Sequence, residues 1–382
     1  MRFNYEGDYT ETLIGDLIIQ KGKRAKGREL EYKAYSINNQ TGFSVQEEQW
    51  GDASYTKLEK NGYKVIENND LAYNPARINV GSVGLYKEQT PCIVSSLYVC
   101  FATKPKLIPD YLFKYLKSEK FNKKVLSTQE GGVRTYFFYD KLQKTKMFIP
   151  TLSEQKKVND FLNCINERID TQNKIIEKYE SLIKPLFETL NSNANIDIAI
   201  KELGPYVSAD LLSWNDMIDA GEPAIIYGQL FTDYKYIIEK VISKTERRIK
   251  TKTKDNDLLF PSSTTVDSLS LIAPSSIKIP GVIIGGDMFK IELDKDKFDS
   301  DYMSFLINCS LNKRIAKYAQ GSTIIHLHYE DIKLFRMKIC DIKKQKEISK
   351  QMKVLLEKIS VERSVIELLQ KQKKYFLDNL FI

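Results

Sequence analysis

The chain has 382 residues, an apolar fraction of 42%, and 58 lysines and arginines against 50 acids, giving a net charge of +8. This length favours two or three domains, and the modest positive charge suits a polyanionic partner without requiring one. The five cysteines are widely spaced and form no C-x-x-C motif, which argues against a zinc ribbon or a disulfide framework and favours a reducing compartment. No run approaches the roughly 18 apolar residues needed to cross a bilayer. The N-terminus has no apolar signal core, so we expect a cytoplasmic protein with no membrane partner.

An internal repeat with a period of 190 residues (Met147 to Met337) is the most informative feature. The period is far longer than that of a solenoid, so the repeated unit is a whole domain with a helix. Short β-rich runs at 92–101 and 281–291 recur at matching places, and each is followed by a helical stretch. Further matching pairs are Ile149 with Ile339, Gln155 with Gln345, Gly131 with Gly321, Tyr139 with Tyr329, Leu142 with Ile332 and, three residues out of step, Asp70 with Asp257.

Two long helices are predicted, because apolar residues step by four and three from Val158 and again from Ile348. A mean step of about 3.5 residues indicates a coiled-coil seam. Thr151 with Glu154 forms a plausible capping box, and Asp341 is a candidate cap for the second helix. Pro185 is expected to kink or locally break the first helix. The residues predicted to pair the helices are Val158, Leu162, Ile165, Ile169, Ile176, Ile348, Met352, Leu355, Ile359, Ile366 and Leu369.

The order of the segments predicts how the helices pair. The second globular domain leaves the end of one helix and returns at the start of the other, and compact domains often have neighbouring termini. The helices should therefore run antiparallel, with the domains at opposite ends and related by an approximate two-fold axis. The predicted fold class is α+β, with two similar globular domains separated by two long antiparallel coiled-coil helices. The predicted boundaries are 1–150 for the first domain, 151–192 for the first helix, 193–340 for the second domain and 341–382 for the second helix.

The segment Met147–Val158, which reads MFIPTLSEQKKV and enters the first long helix, resembles the central conserved region of specificity (S) subunits of type I restriction–modification systems, the HsdS-like proteins. Met337–Ile348 resembles their distal conserved region. Tyr227–Thr232 and Gly321–Ile325 are similar to family segments of the second domain. The resemblance extends over essentially the whole chain. The second copy departs from the pattern at 340–344, where CDIKK stands in place of PTLSE at 150–154.

The resemblance implies a non-catalytic chain with two target-recognition domains, each reading one half of a gapped site in double-stranded DNA. The helices would set the gap and dock two methylation (M) subunits, and the assembly would recruit restriction (R) subunits. S-adenosylmethionine, ATP and magnesium are then expected only in those partner subunits, and no cofactor in this chain.

Two basic clusters and two glycine-containing loops supply the candidate DNA contacts. Lysine and arginine neutralise phosphates and release counterions, and arginine also reads guanine bidentately. Glycine allows close backbone approach. The alternatives without a DNA contact are a solvated loop for each basic cluster and a turn before a core strand for each glycine loop. The candidates are Lys21, Lys23, Arg24, Lys26, Arg28, Arg77, Arg134, Tyr136, Lys244, Arg247, Arg248, Lys250, Lys252, Lys254, Thr323 and His326.

His326 and His328 are the only histidines. On a strand they would face the same side, as zinc ligands can, but only Glu330 and Asp331 lie nearby to complete a set, so no metal site is predicted. Tyr73 aligns with Phe260, which favours core packing for that tyrosine.

Two other readings remain open. One is a stand-alone DNA methyltransferase or nuclease whose motif has diverged, and turnover by the purified chain would favour it. The sequence lacks a phosphate-binding GxxxxGK[ST] loop and a GxGxxG fingerprint, and residues 73–76 only partly match an amino-methyltransferase motif. The other is a coiled-coil adaptor with no nucleic-acid role, which salt-dependent duplex binding would reject.

Overall fold

The structure is a computed structural model, and it describes residues 9–27, 31–46, 60–128 and 136–381. The chain divides into two compact units, one of Met1–Gln172 with Val365–Ile382 and one of Asn173–Ser364. This division cuts each long helix in two, whereas the boundaries predicted from sequence treat the helices as separate segments, and those boundaries stay a prediction. Among the described residues, no helix combines the length and apolarity needed to cross a membrane.

The first unit mixes short strands with helices. Two four-stranded sheets and a two-stranded ribbon form around a core in which Tyr73, Phe101 and Phe121 are fully buried. The strands described are Thr10–Leu13, Ile18–Gln20, Ala34–Ile37, Phe43–Val45, Lys64–Ile66, Leu71–Tyr73, Val83–Leu85, Cys92–Val94, Val99–Thr103 and Lys146–Ile149. The shorter α-helices described are Ile14–Leu17, Pro109–Leu116, Glu119–Ser127 and Tyr139–Lys144, with 3₁₀ turns at Lys60–Gly62 and Ile78–Val80.

The second unit has a five-stranded sheet, a three-stranded sheet and two two-stranded ribbons. The strands described are Ile196–Ala199, Tyr206–Ser208, Glu222–Ile226, Ile237–Ile238, Ser243–Thr245, Asp257–Pro261, Ser263–Thr264, Ser275–Ile277, Ile283–Gly285, Met288–Glu292, Ile325–His326 and Arg336–Ile339. The shorter helices described are Gln229–Thr232, Ser300–Leu306, Asn312–Ile315 and Tyr329–Ile332, a π-helical turn at Ile307–Leu311, and 3₁₀ turns at Ile200–Glu202, Trp214–Asp216 and Ala316–Tyr318.

The internal repeat is confirmed by the strands that begin and end each domain. In the first unit Thr10–Leu13 pairs antiparallel with Lys146–Ile149, and in the second Ile196–Ala199 pairs antiparallel with Arg336–Ile339. Each ribbon leads within a few residues into a long helix. The chain therefore enters and leaves each domain side by side, as the prediction of antiparallel helices required.

A turn before a central strand repeats as well. The Asp70 carboxylate accepts a hydrogen bond from the backbone N–H of Glu67 (2.9 Å), and that of Asp257 accepts one from Lys254 (2.7 Å). Burial is the main cause that raises the pKa of each aspartate above its ordinary value. A lysine ammonium partly offsets the cost of burial, since Lys290 lies 2.7 Å from Asp257.

The long helices run over Leu152–Leu190 and Ile342–Asn379. In the first unit, the ring of Phe161 packs edge-on against Phe376, with centroids 4.8 Å apart. One turn or more further along the first helix, Cys164 and Gln172 border a groove whose other side includes Leu369. Residue numbers rise along one helix while they fall along the other, so the two segments are antiparallel.

In the second unit, the guanidinium of Arg363 donates to the carboxylate of Glu180 (2.6 Å). The thiol of Cys340, just before the second long helix, lies 3.5 Å from the side-chain oxygen of Asn191, just after the first. The helix segments of this unit are thus antiparallel too, and the α+β fold class with paired long helices is confirmed.

Most residues at the predicted four-and-three spacing are buried, while Ile169 and Ile366 are partly exposed. Val158, Leu162 and Ile165 lie in the hydrophobic core of the first unit, so burial there does not depend on the other helix, and the residues that pair the helices stay a prediction. The buried residues at this spacing are Val158, Leu162, Ile165, Ile176, Ile348, Met352, Leu355, Ile359 and Leu369.

Of the kink or local break expected at Pro185, the break is wrong, since the first long helix continues through this residue to Leu190. Proline inside a helix costs about 3 kcal/mol, because it lacks an N–H and crowds the preceding turn. Ile183 and Phe187 on either side are buried, and the Phe187 ring packs on Tyr302 and Phe305. This tertiary packing offsets the local cost.

Helix capping is simpler than the sequence suggested. The Thr151 hydroxyl accepts a bond from the N–H of Glu154 at 3.4 Å, while the Glu154 carboxylate pairs with Lys157 at 2.6 Å. The first helix therefore has a threonine cap without the reciprocal glutamate bond. At the second helix, the Asp341 carboxylate accepts from the N–H of Lys344 at 3.0 Å, as predicted.

A buried glutamine joins each domain to its long helix. In the first unit the side-chain oxygen of Gln155 accepts from the N–H of Ile108 (2.9 Å), the N-cap residue just before the helix Pro109–Leu116. Its amide nitrogen donates to the carbonyls of Lys106 and Pro150, both at 3.0 Å. The side chain is fully buried, so each of these bonds replaces one to water.

Gln345 makes the same three bonds in the second unit. Its oxygen accepts from the N–H of Asp299 (2.9 Å), the N-cap residue just before the helix Ser300–Leu306, and its nitrogen donates to the carbonyls of Lys297 (3.2 Å) and Cys340 (2.8 Å). This glutamine is also fully buried. The motif that carries the sequence resemblance is thus a structural joint between domain and helix.

A second polar link lies one turn further along each long helix. Lys114 donates to the side-chain oxygen of Asn159 (3.1 Å) in the first unit, and Ser349 donates to the carboxylate of Asp299 (2.7 Å) in the second. Burial opposes ionisation of Asp299, but the bonds from Lys278 and Ser349 hold its pKa below the ordinary value. Both links are buried, so they add to the constraint imposed by the glutamines.

Replacing either glutamine by leucine should loosen one domain at a time. Gln155→Leu leaves the N–H of Ile108 and two carbonyls without partners, at a cost of about 1–3 kcal/mol each where they stay dry. We expect faster amide hydrogen exchange in Pro109–Leu116 for Gln155→Leu and in Ser300–Leu306 for Gln345→Leu. Gln351→Leu, at an exposed glutamine of the second long helix, is the control. Unchanged exchange in both target helices would show that the joint is not needed.

Candidate nucleic-acid interface

The basic cluster of the first unit is divided by its partners. The Lys21 ammonium lies 2.9 Å from the Glu67 carboxylate, and that hydrogen bond is the main cause that raises its pKa. Lys23, Arg24 and Lys26 are exposed and make no ion pair with any described residue. Arg28 lies outside the described residues. Among the described members of this cluster, the cations most available to a phosphate are therefore those at 23, 24 and 26.

The basic cluster of the second unit divides in the same way. Three members are paired with acids: Arg247 with Asp216 at 3.6 Å, Lys254 with Glu292 at 2.6 Å, and Lys252 with Glu222. The other three are exposed and, within the described chain, have no ion-pair partner: Lys244, Arg248 and Lys250. A phosphate can approach these three without displacing an internal carboxylate.

A tripeptide with two outward rings follows the glycine loop of the first unit. Phe137 is buried, donates its N–H to the carbonyl of Pro75 (3.0 Å), and packs on Tyr73 and Phe121. The flanking side chains, here called the first ring pair, are Tyr136 and Phe138. They are 46% and 50% exposed, and their rings stack with centroids 5.4 Å apart and planes 7° apart.

The second unit repeats this arrangement with different side chains. Leu327 is fully buried and donates its N–H to the carbonyl of Ser262 (2.9 Å). The second ring pair, His326 and His328, stacks with centroids 5.9 Å apart and planes 6° apart. Positions 326 and 328 lie one repeat period of 190 residues after positions 136 and 138, so the two ring pairs are structurally equivalent.

A polar cleft adjoins the first ring pair through the bond to Pro75. The cleft has a volume of about 290 Å³, and Arg77 and Asn39 are its exposed members with no side-chain partner among the described residues. The Asn38 oxygen already accepts from the N–H groups of Gln40 and Thr41. The full lining is Ser36, Ile37, Asn38, Asn39, Asn74, Arg77, Ser82 and Tyr98. A guanidinium beside an amide offers the hydrogen-bonding groups that read purine edges.

The two predicted glycine loops differ in what the structure shows of them. The first, with Arg134, lies outside the described residues. In the second, Gly321 has φ +118, and a Cβ there would lie 2.0 Å from the carbonyl oxygen of Ile324, so glycine is required. Gln320 and His326 exchange two backbone bonds across this loop (2.9 and 2.7 Å), which presents Thr323 at an exposed tip.

Tyr73 lies in the core, as its alignment with Phe260 suggested, and both side chains are fully buried. Within the described ranges, no group of three histidine, cysteine, aspartate or glutamate side chains is arranged to hold a metal ion. Phe138 and His328 were not among the DNA-contact candidates named from the sequence, where His328 was weighed only as a metal ligand, and neither was Asn39. The spacing of two rings at i and i+2, found at the same place in both repeats, is the signal that would have found the first two.

Comparisons with known proteins agree with this architecture. Residues 7–181 match the family described as "Type I restriction modification DNA specificity domain". A search of curated proteins found no match.

Three solved structures resemble the chain over nearly its full length. One comes from a study of complex assembly and conformational transition of the type I R-M system (TM-score 0.64, 10% identity, 98% of each chain). Another is the S subunit of a type I restriction–modification system from M. genitalium (TM-score 0.54, 14% identity, 100% of this chain and 98% of that one). A third is the HsdS subunit from Thermoanaerobacter tengcongensis (TM-score 0.51, 12% identity, 99% and 98%). At these identities the structural likeness speaks for the fold.

Proposed function

Residues 7–181 belong to the type I restriction–modification DNA specificity domain family, and from this premise we propose that the chain is the DNA-recognition subunit of a type I restriction–modification complex. In this proposal it reads a bipartite site in double-stranded DNA, one half-site with each domain. One observation carries the proposal: the domain design of the first unit recurs in the second unit. The recurring features include the glutamine joint and the outward ring pair, and most of the second unit lies beyond residues 7–181.

The available cations support a DNA partner. Each unit carries a set of exposed lysines and arginines without internal acids, and the first adds the guanidinium of Arg77 at a polar cleft. Phosphate contacts position a protein on duplex DNA, while base-edge contacts supply sequence preference. Each unit offers groups for both kinds of contact, as a reader of two half-sites needs.

Catalysis is assigned by this proposal to partner subunits. The M subunits would bind S-adenosylmethionine, and the R subunits would use ATP and magnesium, while this chain supplies position and sequence. Such a complex acts on DNA in the cytoplasm. A purified chain that methylates or cleaves DNA without partners would instead favour the reading as a diverged enzyme.

The second long helix offers a surface for an M subunit. Four apolar side chains at seven-residue intervals lie on one face of it and are exposed: Val354, Val361, Leu368 and Tyr375. Apolar residues that recur every seven positions form a stripe against which another helix can pack. At the equivalent places the first helix carries Cys164, Thr171, Lys178 and Pro185. The proposed docking surface for M-subunit helices is therefore this face of the second helix.

Selection from a random duplex library tests the proposal directly. The full chain, co-expressed with its M subunits, is expected to retain duplexes that share two short motifs separated by a fixed gap of unspecified bases. A single continuous motif, or retention without sequence preference, would contradict it.

Removing the unpaired cations of the second unit should weaken the salt dependence of DNA binding. The triple change Lys244→Gln, Arg248→Gln and Lys250→Gln removes three proposed phosphate contacts, so the slope of log K against log salt should fall in magnitude by about 3. Titrations between about 50 and 200 mM salt measure this slope.

A matched control separates contact from total charge. Lys295, Lys313 and Lys317 are exposed lysines of the same unit, and their change to glutamine alters the net charge equally. Equal loss of slope in both triple variants would mean that overall charge, and not the cluster, attracts DNA.

Charged residues on the apolar face should prevent assembly. Val361→Glu with Leu368→Glu places two carboxylates where a partner helix would pack, while the buried seam is left intact. We expect M subunits to be lost on co-purification, whereas Ser360→Glu with Gln370→Glu should retain them. These two exposed positions add the same two charges but lie about a quarter of a turn or more away from the apolar face. Retention by both variants would exclude this face as the docking surface.

A further inference from the structure

The two ring pairs occupy one place in the repeated domain but differ in chemistry. Phe137 and Leu327 carry the packing, and each donates its N–H to a loop carbonyl. The side chains on either side are consequently free of a packing role and point outward. Stacked rings held at an exposed position, in both repeats, indicate a surface selected for contact.

We propose that the ring pairs are base-contacting elements and that the two domains use them differently. This inference rests on the proposed function. The first ring pair packs its apolar faces on thymine methyl groups and sugars. The second ring pair forms hydrogen bonds from imidazole nitrogens to base acceptors such as purine N7. The two half-sites are thus read by different chemistry from equivalent positions.

The surroundings of the first ring pair fit an apolar contact at a base edge. Tyr136 and Phe138 expose about half of their surface, and the bond from Phe137 holds them next to the loop that carries Arg77. Arginine reads guanine and aromatic groups contact the thymine methyl in the major groove. A guanidinium and a ring pair on adjoining segments therefore suit a short stretch of base pairs.

The surroundings of the second ring pair favour base edges over phosphates. The strand Ile325–His326 pairs with Ser263–Thr264, and the Ser263 hydroxyl donates to the carboxylate of Asp287 (2.7 Å). Glu330 and Asp331 follow within three residues of His328, and Glu330 is paired with Lys333 (2.5 Å). The carboxylates of Asp287 and Asp331, which have no ion pair among the described residues, oppose the close approach of a phosphate, whereas neutral base acceptors are not repelled.

The experiment uses the bipartite duplex recovered by selection and the full chain with its M subunits. Tyr136→Ala with Phe138→Ala should lower affinity about tenfold or more through the half-site of the first domain, and His326→Ala with His328→Ala through the other. Binding to duplexes with one scrambled half-site separates the two contributions. Phe148→Ala and Tyr318→Ala, at exposed rings elsewhere in the two units, are the controls.

Modified bases test the chemistry itself. Replacing thymine by uracil removes the methyl group, and replacing purines by their 7-deaza forms removes N7. Uracil should weaken the wild-type protein at the first half-site and have no further effect on the Tyr136/Phe138 variant. The 7-deaza purines should weaken binding of the wild-type protein at the second half-site and have no further effect on the His326/His328 variant.

The outcomes separate this inference from the proposed function. A wild-type protein with no bipartite preference would overturn both. A wild-type protein with that preference, together with ring variants that bind like it, would overturn the ring-pair inference alone. Equal loss at both half-sites in either ring variant, or base modifications whose effects persist unchanged in the variants, would overturn it as well.

Discussion

A buried glutamine near the start of each long helix is the constraint on which the rest of this structure depends. Gln155 and Gln345 each satisfy the N–H of a residue that caps a domain helix and two loop carbonyls with a single side chain. Because all three bonds are shielded from water, the domain cannot rotate on its helix without leaving polar groups unpaired. The orientation of each domain on its own long helix is therefore fixed at this joint.

The repeat conserves the scaffold and varies the surface. The ribbons, the aspartate turns, the glutamine joints and the bond beneath each ring pair recur, while the outward side chains change from tyrosine and phenylalanine to two histidines. A central buried residue carries the packing, so the neighbours at i−1 and i+1 are free to change. Under the proposed function, this separation between support and contact would let one domain design recognise two different sequences.

Patterns local in the sequence were sufficient for the architecture. The four-and-three spacing from Val158 and Ile348 predicted the long helices and most of their buried positions, and the period between Met147 and Met337 predicted a repeated domain. Pro185 was misjudged, because local cost was weighed without the packing of Phe187 that opposes it.

The candidate site was predicted less well, since it depends on distant partners. Nothing near Lys254 in the sequence reveals that Glu292 neutralises it, and Lys21 likewise pairs with Glu67. The polar cleft brings Asn39 and Arg77 together only through sheet pairing. Basic clusters in the sequence therefore overstate the number of cations available to DNA.

The most direct test of two reading domains on one chain is to map methylated adenines across the genome of cells with and without this protein. The proposed function predicts a gapped, two-part motif that is methylated in the parent cells and unmethylated after deletion. A methylation pattern that survives deletion unchanged, or the loss of a continuous motif, would contradict it.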